Sequence, residues 1–321
     1  MQYFMGIDSG GTKTNCLLTD AAGKRLAFAA GPGASHRHCG VEQAVQIVAN
    51  LAQQCVTKAS IAQEQVAAAC FALPLYGEDA VADRTLQAGL AERYPVTVLV
   101  NDTEAGWAGS LACGAGINLV SGTGSIAYGK NESGQAMRSG GWSEVFGDEG
   151  SSYWLGIKCM QLFSKQADGR EKKDALYNLV RERYPMKTDF EFAVMAHRDW
   201  LPHRDKVAQF QTLLSDAADA GDVMAREMYE QAAAELAQLA VAVKAGLHFH
   251  DAAVTVSYSG GTFRAGEKLL MPLGRWLQQE GMVLRKPILT PVEGAVLLAV
   301  SACPQHSVAG VCAGLQRDAA L

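Results

Sequence analysis

The chain has 321 residues, of which 49% are hydrophobic and 19% charged, an ordinary composition for a globular protein of about two domains. Its formal net charge of −5 argues against a nucleic acid as a standing partner. Asp8 and Lys13 interrupt the first apolar run, which excludes a secretory signal there. No stretch approaches the roughly 18 apolar residues of a membrane span. We therefore expect a soluble, cytoplasmic protein that binds neither nucleic acid nor membrane.

Hydrophobic periodicity predicts strands and helices along the whole chain. The predicted elements are, in chain order, a hairpin and a third strand within residues 1–30, a helix at 41–57, a strand at 66–74, a helix at 79–92, a strand at 96–102, a short helix at 103–114, further hairpins from 116, a helical tract at 151–242, a strand at 254–258 and a helix at 291–303. Strands that alternate with helices in this way indicate an α/β fold.

A glycine-rich turn follows the first predicted strand, in the stretch GIDSGGTKTNCLLTD at residues 6–20. Its two glycines are adjacent, whereas a P-loop needs four residues between them. A dinucleotide fingerprint needs a helix to begin at the glycines, but the residues after Gly11 are rich in β-formers. The stretch therefore predicts a hairpin whose backbone N–H groups form a nest for phosphate oxygens. A plain hairpin turn is the alternative.

The same arrangement occurs a second time, in INLVSGTGSIAYGKNESGQAM at residues 117–137, where Ser121 heads the turn as Ser9 heads the first. A third loop, Ser-Gly-Gly-Thr at residues 259–262, follows the strand predicted at 254–258. Three separated loops of this kind indicate nucleotide binding more strongly than one. Two copies of one hairpin predict two similar domains, each offering a phosphate-binding turn to a shared cleft.

Asp102 stands at the end of the apolar strand predicted at 96–102, where open α/β sheets present ligand-binding residues. Phosphoryl transfer from ATP needs a base for the proton of the acceptor hydroxyl and a cation for the developing charge. A carboxylate at a strand end suits the role of the base, which contributes about 10²–10⁴-fold to the rate. The alternative is that Asp102 only caps a helix that begins at Thr103.

These motifs resemble those of the sugar kinases in the actin/hexokinase/Hsp70 ATPase superfamily, and especially the N-acetylglucosamine kinase branch grouped with the BadF/BadG/BcrA/BcrD ATPases. There the two hairpins are phosphate motifs and the third loop is an adenosine motif. The segments VNDTEAGWAG at 100–109 and GGWSEVFGDEGSSYW at 140–154 resemble the sugar-site segments of that branch. The resemblance implies an α/β fold of two RNase H-like, actin-like ATPase domains with an interdomain cleft. The first would be residues 1–115 with a returning helix at 291–321, and the second residues 116–290.

The resemblance also implies that the chain uses ATP and Mg²⁺. The implied nucleotide-binding residues are Gly10, Gly11, Thr12, Lys13, Gly122, Thr123, Gly124, Gly260, Gly261 and Thr262. Lys13 is equally expected as an outward-facing strand lysine. Asp8 is the candidate for Mg²⁺, held through water because this ion loses its hydration reluctantly, with a turn-stabilising Asp as the alternative.

The resemblance further implies a set of residues for the sugar. They are Ser35, Asp102, Gly140, Gly141, Trp142 and Asp148. Asp102 would contact the sugar and take its proton, Trp142 would cover an apolar face, and Asp148 would accept hydroxyls, with ordinary packing as the alternative for Trp142. Ser35 falls where these kinases often have Asn, so N-acetylglucosamine, glucosamine and N-acetylmuramate all stay open as substrates.

Three functions are therefore considered. The first is an ATP-dependent kinase acting on a hydroxyl, expected to be O6, of an amino sugar. The second is an ATPase activator of a 2-hydroxyacyl-CoA dehydratase or benzoyl-CoA reductase, which needs cysteines to bridge an Fe–S cluster, and residues 139–153 contain none. The third is a regulator with a DNA-binding helix-turn-helix, for which the five residues before Gly6 leave no room. We expect ATP and a small-molecule amino sugar as partners and leave a homodimer open.

Overall fold

The computed structural model describes residues 2–91, 93–251 and 253–318. The strands are, in chain order, β1 (Tyr3–Ser9), β2 (Lys13–Asp20), β3 (Arg25–Pro32), β4 (Val66–Leu73), β5 (Val96–Asn101), β6 (Gly116–Ser121), β7 (Ser125–Lys130), β8 (Ala136–Gly140), β9 (Val254–Ser259) and β10 (Met282–Leu284). The helices are α1 (His36–Cys39), α2 (Val41–Ala59), α3 (Ala80–Leu90), α4 (Asp102–Ser110), α5 (Ser152–Asp168), α6 (Ala175–Arg183), α7 (Glu191–Met195), α8 (Arg204–Asp219), α9 (Val223–Gly246), α10 (Glu267–Gln279), α11 (Pro291–Ser301) and α12 (Val308–Asp318). Single helical turns occur at Gln63–Gln65, Ala196–Trp200 and Gly261–Ala265.

Two compact units divide the chain between them. One comprises the described residues of Met1–Asn118 and Lys286–Leu321, and the other comprises those of Leu119–Arg285. A five-stranded sheet lies in each unit. The predicted helical tract at 151–242 is a series of separate helices, α5 to α9, and the last of them continues to Gly246. Glu92 and residues 319–321, which two of the predicted helices include, lie outside the described residues.

The sheet of the first unit has the order β3-β2-β1-β4-β5. β1 and β2 pair antiparallel, as do β2 and β3, whereas β1 pairs parallel with β4 and β4 with β5. The carboxyl ends of β1, β3, β4 and β5 therefore lie at one edge. In that register Asp8 lies beside Ala72 of β4, and Leu73 lies beside Asn101 of β5. This edge collects the polar residues that follow the strands.

Helices pack against this sheet and bury its side chains. One core lies between the strands and helices α2 and α3, with Phe71, Leu86 and Leu90 fully or almost fully buried. Helix α11 packs directly on β1, since a Cβ on Gly6 would lie 2.5 Å from the backbone nitrogen of Val296. The glycine is therefore needed for the close contact between the helix and the strand.

The sheet of the second unit has the order β10-β9-β6-β7-β8. β9 and β10 are parallel, and β7 and β8 form an antiparallel hairpin. Helices α5 and α8 approach closely, because a Cβ on Gly156 would lie only 2.1 Å from the carbonyl oxygen of Val207. This contact fixes the beginnings of the two helices against each other.

A search for membrane-spanning helices in the described part of the chain finds none that is both long and apolar enough.

Candidate active site

The first predicted phosphate turn connects β1 and β2 through residues 10–13. Gly10 donates its N–H to the carbonyl oxygen of Lys13 at 2.9 Å, which closes the turn. Gly11, Thr12 and Lys13 are exposed, and no atom lies within 4 Å of a Cβ placed on Gly11. The turn therefore leaves its outer backbone open to a ligand. Its hairpin geometry agrees with the strand-turn-strand prediction.

Buried hydroxyl groups hold the base of this turn. The hydroxyl groups of Ser9 and Thr14 are 2.9 Å apart, and Thr14 donates to the carbonyl oxygen of Pro32 at 2.8 Å. Ser9 in turn accepts the backbone N–H of Ala34 at 3.1 Å. Paired buried hydroxyls of this kind satisfy each other and limit the movement of the backbone that carries them. The end of β3 is thereby tied to the turn.

Gly33 brings the segment after β3 against the turn. A Cβ at this position would lie 2.4 Å from the carbonyl oxygen of Gly11, so only glycine fits without a shift. Ser35 follows two residues later, is buried, and precedes α1 without making a side-chain capping hydrogen bond to it. The sequence reasoning singled out Ser35 but missed Gly33, because its close approach to Gly11 depends on the pairing of β3 with β2.

Asp8 and Asp102 lie at the same edge of the first sheet, at the ends of β1 and β5. Burial raises the pKa of Asp8 to about 6, and the positive charge of Lys13 opposes the rise. Burial also raises the pKa of Asp102 to about 7, with a further rise from the negative charges of Asp8 and Glu78. The backbone N–H groups of Thr103 and of Asp102 itself oppose it. Asp102 therefore exchanges a proton near neutral pH.

The helix after β5 is capped by Asn101, not by Asp102. Asn101 has an extended backbone, and its side-chain oxygen accepts the N–H of Thr103 at 3.2 Å and the hydroxyl of Thr103 at 2.8 Å. Its side-chain nitrogen donates to the carbonyl oxygen of Tyr76 at 2.9 Å. β5 ends one residue earlier than predicted for this reason, and the capping alternative for Asp102 is wrong. The side chain that caps α4 is therefore that of Asn101.

The second predicted phosphate turn, residues 122–124, connects β6 and β7. Gly122 donates its N–H to the carbonyl oxygen of Gly124 at 2.9 Å, and its own carbonyl oxygen accepts the N–H of Ser152 at 2.8 Å. Ser121 donates its hydroxyl to the carbonyl oxygen of Gly150 at 3.0 Å. The turn is therefore fixed to the beginning of α5, where Ser151 caps the helix by accepting the N–H of Trp154.

The third loop packs directly on the second turn. A Cβ on Gly260 would lie 2.1 Å from the carbonyl oxygen of Ser121, and Gly260 has a φ of 111°, which favours glycine. Thr262 is fully buried, and its hydroxyl lies 3.3 Å from the carbonyl oxygen of Gly122 and 2.8 Å from the hydroxyl of Ser152. Thr262 therefore supports the turn from behind. The second and third loops form one structural group.

The segment predicted to bind the sugar begins at the end of β8. Gly140 and Gly141 have positive φ values of 82° and 71°, and Gly141 donates its N–H to the carbonyl oxygen of Ser125 at 2.9 Å. The next three apolar side chains are open to solvent: Trp142 is 77% exposed, Val145 82% and Phe146 72%. Contiguous exposed apolar side chains commonly mark a place where something binds.

Asp148 lies in the same segment, but only 5% of the residue is exposed. Its Oδ1 accepts the backbone N–H of Ser125 at 3.2 Å, and its Oδ2 pairs with the guanidinium of Arg204. A Cβ on Gly124 would lie 2.9 Å from Oδ2. Asp148 therefore lies directly against the second phosphate turn. Burial raises the pKa of Asp148, and the N–H of Ser125 and the charge of Arg204 oppose the rise.

Each unit thus holds its own part of the predicted site. The first unit carries Asp8, Gly10, Gly11, Thr12, Lys13, Ser35 and Asp102. The second unit carries Gly122, Thr123, Gly124, Gly140, Gly141, Trp142, Asp148, Gly260, Gly261 and Thr262. Sequence reasoning missed the supporting residues Ser125, Ser152 and Arg204. Arg204 could not be found from the sequence, because helix packing brings it to Asp148 from 56 positions away in the chain.

The described residues contain no group of three or more His, Cys, Asp or Glu side chains that could hold a metal ion. Asp8 nevertheless fits Mg²⁺, because this ion commonly uses one or two carboxylates together with substrate phosphates and retained waters. Asp8 stands two residues before Gly10, at the start of the open backbone of the first turn.

Comparison with known proteins decides the family. The sequence profile of the BadF/BadG/BcrA/BcrD ATPase family matches residues 5–299. The chain belongs to this family. This BadF/BadG/BcrA/BcrD ATPase family member is 28% identical over 264 residues to the N-acetylmuramic acid/N-acetylglucosamine kinase of Clostridium acetobutylicum, covering 81% of this chain and 85% of the relative. It is 25% identical over 311 residues to the glucosamine kinase GspK of Vibrio cholerae, covering 96% of this chain and 98% of the relative.

Solved structures establish the fold. A protein from Chromobacterium violaceum assigned as an N-acetylglucosamine kinase aligns with a TM-score of 0.77 at 23% identity, over 93% of this chain and 99% of that one. The ROK hexokinase of Thermus thermophilus aligns with a TM-score of 0.56 at 18% identity, over 95% and 100% of the two chains. These structures confirm the predicted α/β, actin-like ATPase fold. Membership of an ATPase family implies the use of ATP.

Proposed function

We propose that this family member is an ATP-dependent kinase that phosphorylates a hydroxyl, O6, of an amino sugar, with N-acetylglucosamine and glucosamine as the first candidates. The observation that carries the proposal is the carboxylate of Asp102. It does not cap helix α4, its pKa is raised to about 7, and it lies at the sheet edge that also carries the first phosphate turn. The relatives named as kinases of N-acetylmuramic acid, N-acetylglucosamine and glucosamine support it.

Asp102 acts as the general base. A base is most efficient when its pKa lies near the working pH, because it is then ionised and still able to hold the proton it receives. Burial and the charge of Asp8 give Asp102 this property. Its carboxylate accepts the proton of the sugar hydroxyl as the hydroxyl oxygen attacks the γ-phosphate of ATP, and ADP leaves.

The two turns and the third loop bind the nucleotide. In the first unit, Gly10, Gly11 and Thr12 offer an open backbone to phosphate oxygens and Lys13 adds a positive charge. In the second unit, the turn of Gly122, Thr123 and Gly124 does the same, and Gly260 and Gly261 line the adenosine side, with Thr262 buried behind the turn. Asp8 would hold Mg²⁺ through water, and the bound ion would neutralise charge on the phosphates.

Ser35 and the segment after β8 bind the sugar. Ser35 is buried and makes no capping hydrogen bond, so its hydroxyl is available for a substituent of the sugar. Trp142 offers an exposed aromatic face for the apolar side of a pyranose. Gly140 and Gly141 allow the backbone to approach, and Asp148 retains acceptor positions beyond its bonds to Ser125 and Arg204.

Initial rates at saturating MgATP test the proposal, with glucose, glucosamine, N-acetylglucosamine and N-acetylmuramate as acceptors. A site that hydrogen-bonds a C2 substituent discriminates strongly against a sugar that lacks it, because buried polar groups are then left unpaired. We expect kcat/KM for at least one amino sugar to exceed that for glucose by about tenfold or more. If glucose is the best of the four, the amino-sugar assignment is wrong; if none is phosphorylated, the kinase assignment is wrong.

A further inference from the structure

One arginine pairs with two carboxylates of the segment proposed to bind the sugar, and one of these carboxylates also lies against the second phosphate turn. Arg204, the first residue of α8, pairs through Nη2 with Oδ2 of Asp148. Its Nε also lies 3.4 Å from Oε2 of Glu144, an ion pair whose geometry does not make a hydrogen bond. Glu144 stands between the exposed side chains of Trp142 and Val145, whereas Asp148 lies against the second phosphate turn. Arg204 thus contacts two carboxylates of the proposed sugar segment, and one of them, Asp148, lies directly against the proposed nucleotide turn.

The connection on the nucleotide side is rigid. Asp148 has a φ of 57°, in the left-handed region that non-glycine residues rarely adopt, so its backbone is held there at a cost by its surroundings. Its Oδ1 accepts the N–H of Ser125, and its Oδ2 fills the space next to Gly124. A movement of Asp148 would therefore disturb the backbone of the turn. The guanidinium of Arg204 is the charged partner that holds the carboxylate in place.

The position of Arg204 is not explained by the stability of its own helix. A cation in the first turn of a helix is disfavoured by the positive end of the helix dipole. His203, which precedes α8, makes no side-chain capping hydrogen bond either. The close contact between Gly156 and Val207 instead brings the beginning of α8 to the beginning of α5. Packing of the two helices therefore delivers the guanidinium to Asp148.

The charges around Asp148 also require the guanidinium. Glu144 and Glu149 both raise the pKa of Asp148, in addition to burial, while the N–H of Ser125 and the charge of Arg204 lower it. The ring of Tyr153 lies beneath Arg204, with its centroid 5.9 Å from the guanidinium carbon. Two carboxylates share one guanidinium in this arrangement. A change at Glu144 is consequently transmitted to Asp148 through Arg204.

Building on the proposed function, we propose that Arg204 is a positioning residue that couples sugar binding at residues 142–146 to nucleotide binding at residues 122–125. A sugar that orders the segment around Trp142 fixes Glu144 and, through Arg204, holds Asp148 and the second turn in the shape that binds phosphate. Coupling between two ligands is reciprocal, so the nucleotide strengthens sugar binding by the same factor. Arg204 itself touches neither ligand.

Calorimetric titration of the wild-type protein with Mg²⁺ and a non-hydrolysable ATP analogue, with and without saturating N-acetylglucosamine, measures this coupling. N-acetylglucosamine is replaced by whichever of the four sugars has the highest kcat/KM, if that differs. We expect the sugar to tighten nucleotide binding by about 5-fold or more. Arg204→Met should reduce this factor to within about twofold of unity, while nucleotide affinity without sugar changes less. Arg204→Lys keeps the charge and should restore part of the coupling.

Two further variants separate coupling from general destabilisation. Arg275→Met removes an exposed arginine that pairs with Glu230, and it should keep the wild-type coupling. Glu144→Gln removes only the sugar-side contact, so it should lower the coupling while leaving the pair of Arg204 and Asp148 intact. If Arg204→Met does not fold, Glu144→Gln tests the inference alone.

Wild-type coupling in Arg204→Met, or in Glu144→Gln where Arg204→Met does not fold, would overturn the inference, as would the absence of coupling in a wild-type protein that phosphorylates the sugar. In that second case the proposed function stands and only the role of Arg204 is lost. A wild-type protein that phosphorylates none of the four sugars overturns the proposed function as well.

Discussion

The negative charge of Asp8 raises the pKa of Asp102, which burial has already raised, to about 7. The two carboxylates stand at one edge of the first sheet, at the ends of β1 and β5. When two such groups interact, their protons leave in steps that belong to the pair. A cation or a proton near Asp8 therefore lowers the pKa of Asp102, so that binding of Mg²⁺ and ionisation of the base would favour each other.

Asp102→Asn tests the base directly. The amide keeps the size of the side chain but cannot accept the proton of the sugar hydroxyl. We expect kcat to fall by about 100-fold or more, with ATP and sugar binding largely retained. Steady-state kinetics and calorimetric binding of both ligands measure the two effects separately. Asp219→Asn, which removes an exposed carboxylate that pairs with Lys268, serves as the control and should keep the wild-type rate. Turnover near that of the wild type in Asp102→Asn would contradict the assignment.

The pH profile of kcat/KM should respond to a charge beside the base. Glu78 is exposed, follows β4, and raises the pKa of Asp102 by its negative charge. Removal of that charge in Glu78→Gln makes the ionised form of Asp102 less costly, so the pKa of Asp102 falls. Because the base must be ionised to work, kcat/KM rises with pH through about 7 in the wild type. This rising limb of the pH profile should move to lower pH in Glu78→Gln.

Two controls show whether this movement is electrostatic. Glu64→Gln removes an exposed carboxylate in the turn before β4, at the opposite edge of the sheet, and should leave the limb in place. Raising the ionic strength screens exposed charges, so the difference between Glu78→Gln and the wild type should shrink in high salt. If the rising limb of the profile in Glu78→Gln stays in place or moves to higher pH, the ionisation of Asp102 is not what limits kcat/KM on that limb.

The glycine-rich turns could be predicted from the sequence because each depends on neighbouring residues. A short glycine-rich turn between two runs of β-formers specifies a hairpin, and the structure has such a turn between β1 and β2 and another between β6 and β7. The role of Asn101 was harder to predict, since Asn101 and Asp102 are both good helix caps and only the backbone angles decide between them. The structure shows that Asn101 caps the helix, whereas the sequence alone left open whether Asp102 does so.

The surroundings of Asp148 could not be predicted from the sequence. The motif predicts its place in a loop near two glycines, but its contacts with Ser125 and Arg204 depend on how α8 packs on α5. That packing depends on the close contact between Gly156 and Val207, residues 51 positions apart in the chain. Local periodicity carries no information about such a contact. The supporting residues of the site therefore became visible only in the three-dimensional arrangement.

Gly260 offers a test of the nucleotide side that separates backbone strain from the shape of the second turn. Its φ of 111° disfavours any other residue, and a Cβ would lie 2.1 Å from the carbonyl oxygen of Ser121, which is backbone and cannot move freely. Gly221 has a similar φ of 99° in the turn before α9, but no atom lies within 4 Å of a Cβ there. Alanine at either position therefore brings strain, and only at Gly260 does it push on the phosphate turn.

We expect Gly260→Ala to raise KM for ATP by about tenfold or more, which corresponds to about 1.4 kcal/mol of lost binding. Gly221→Ala should lower Tm to a comparable degree, because positive φ costs about 1–3 kcal/mol for a non-glycine residue, while KM for ATP stays near the wild-type value. Both variants are measured below their Tm, with sugar held at saturation. Equal KM values for ATP in the two variants would show that the third loop does not shape the nucleotide site, since the displaced carbonyl group of Ser121 adjoins the N–H of Gly122 in the turn.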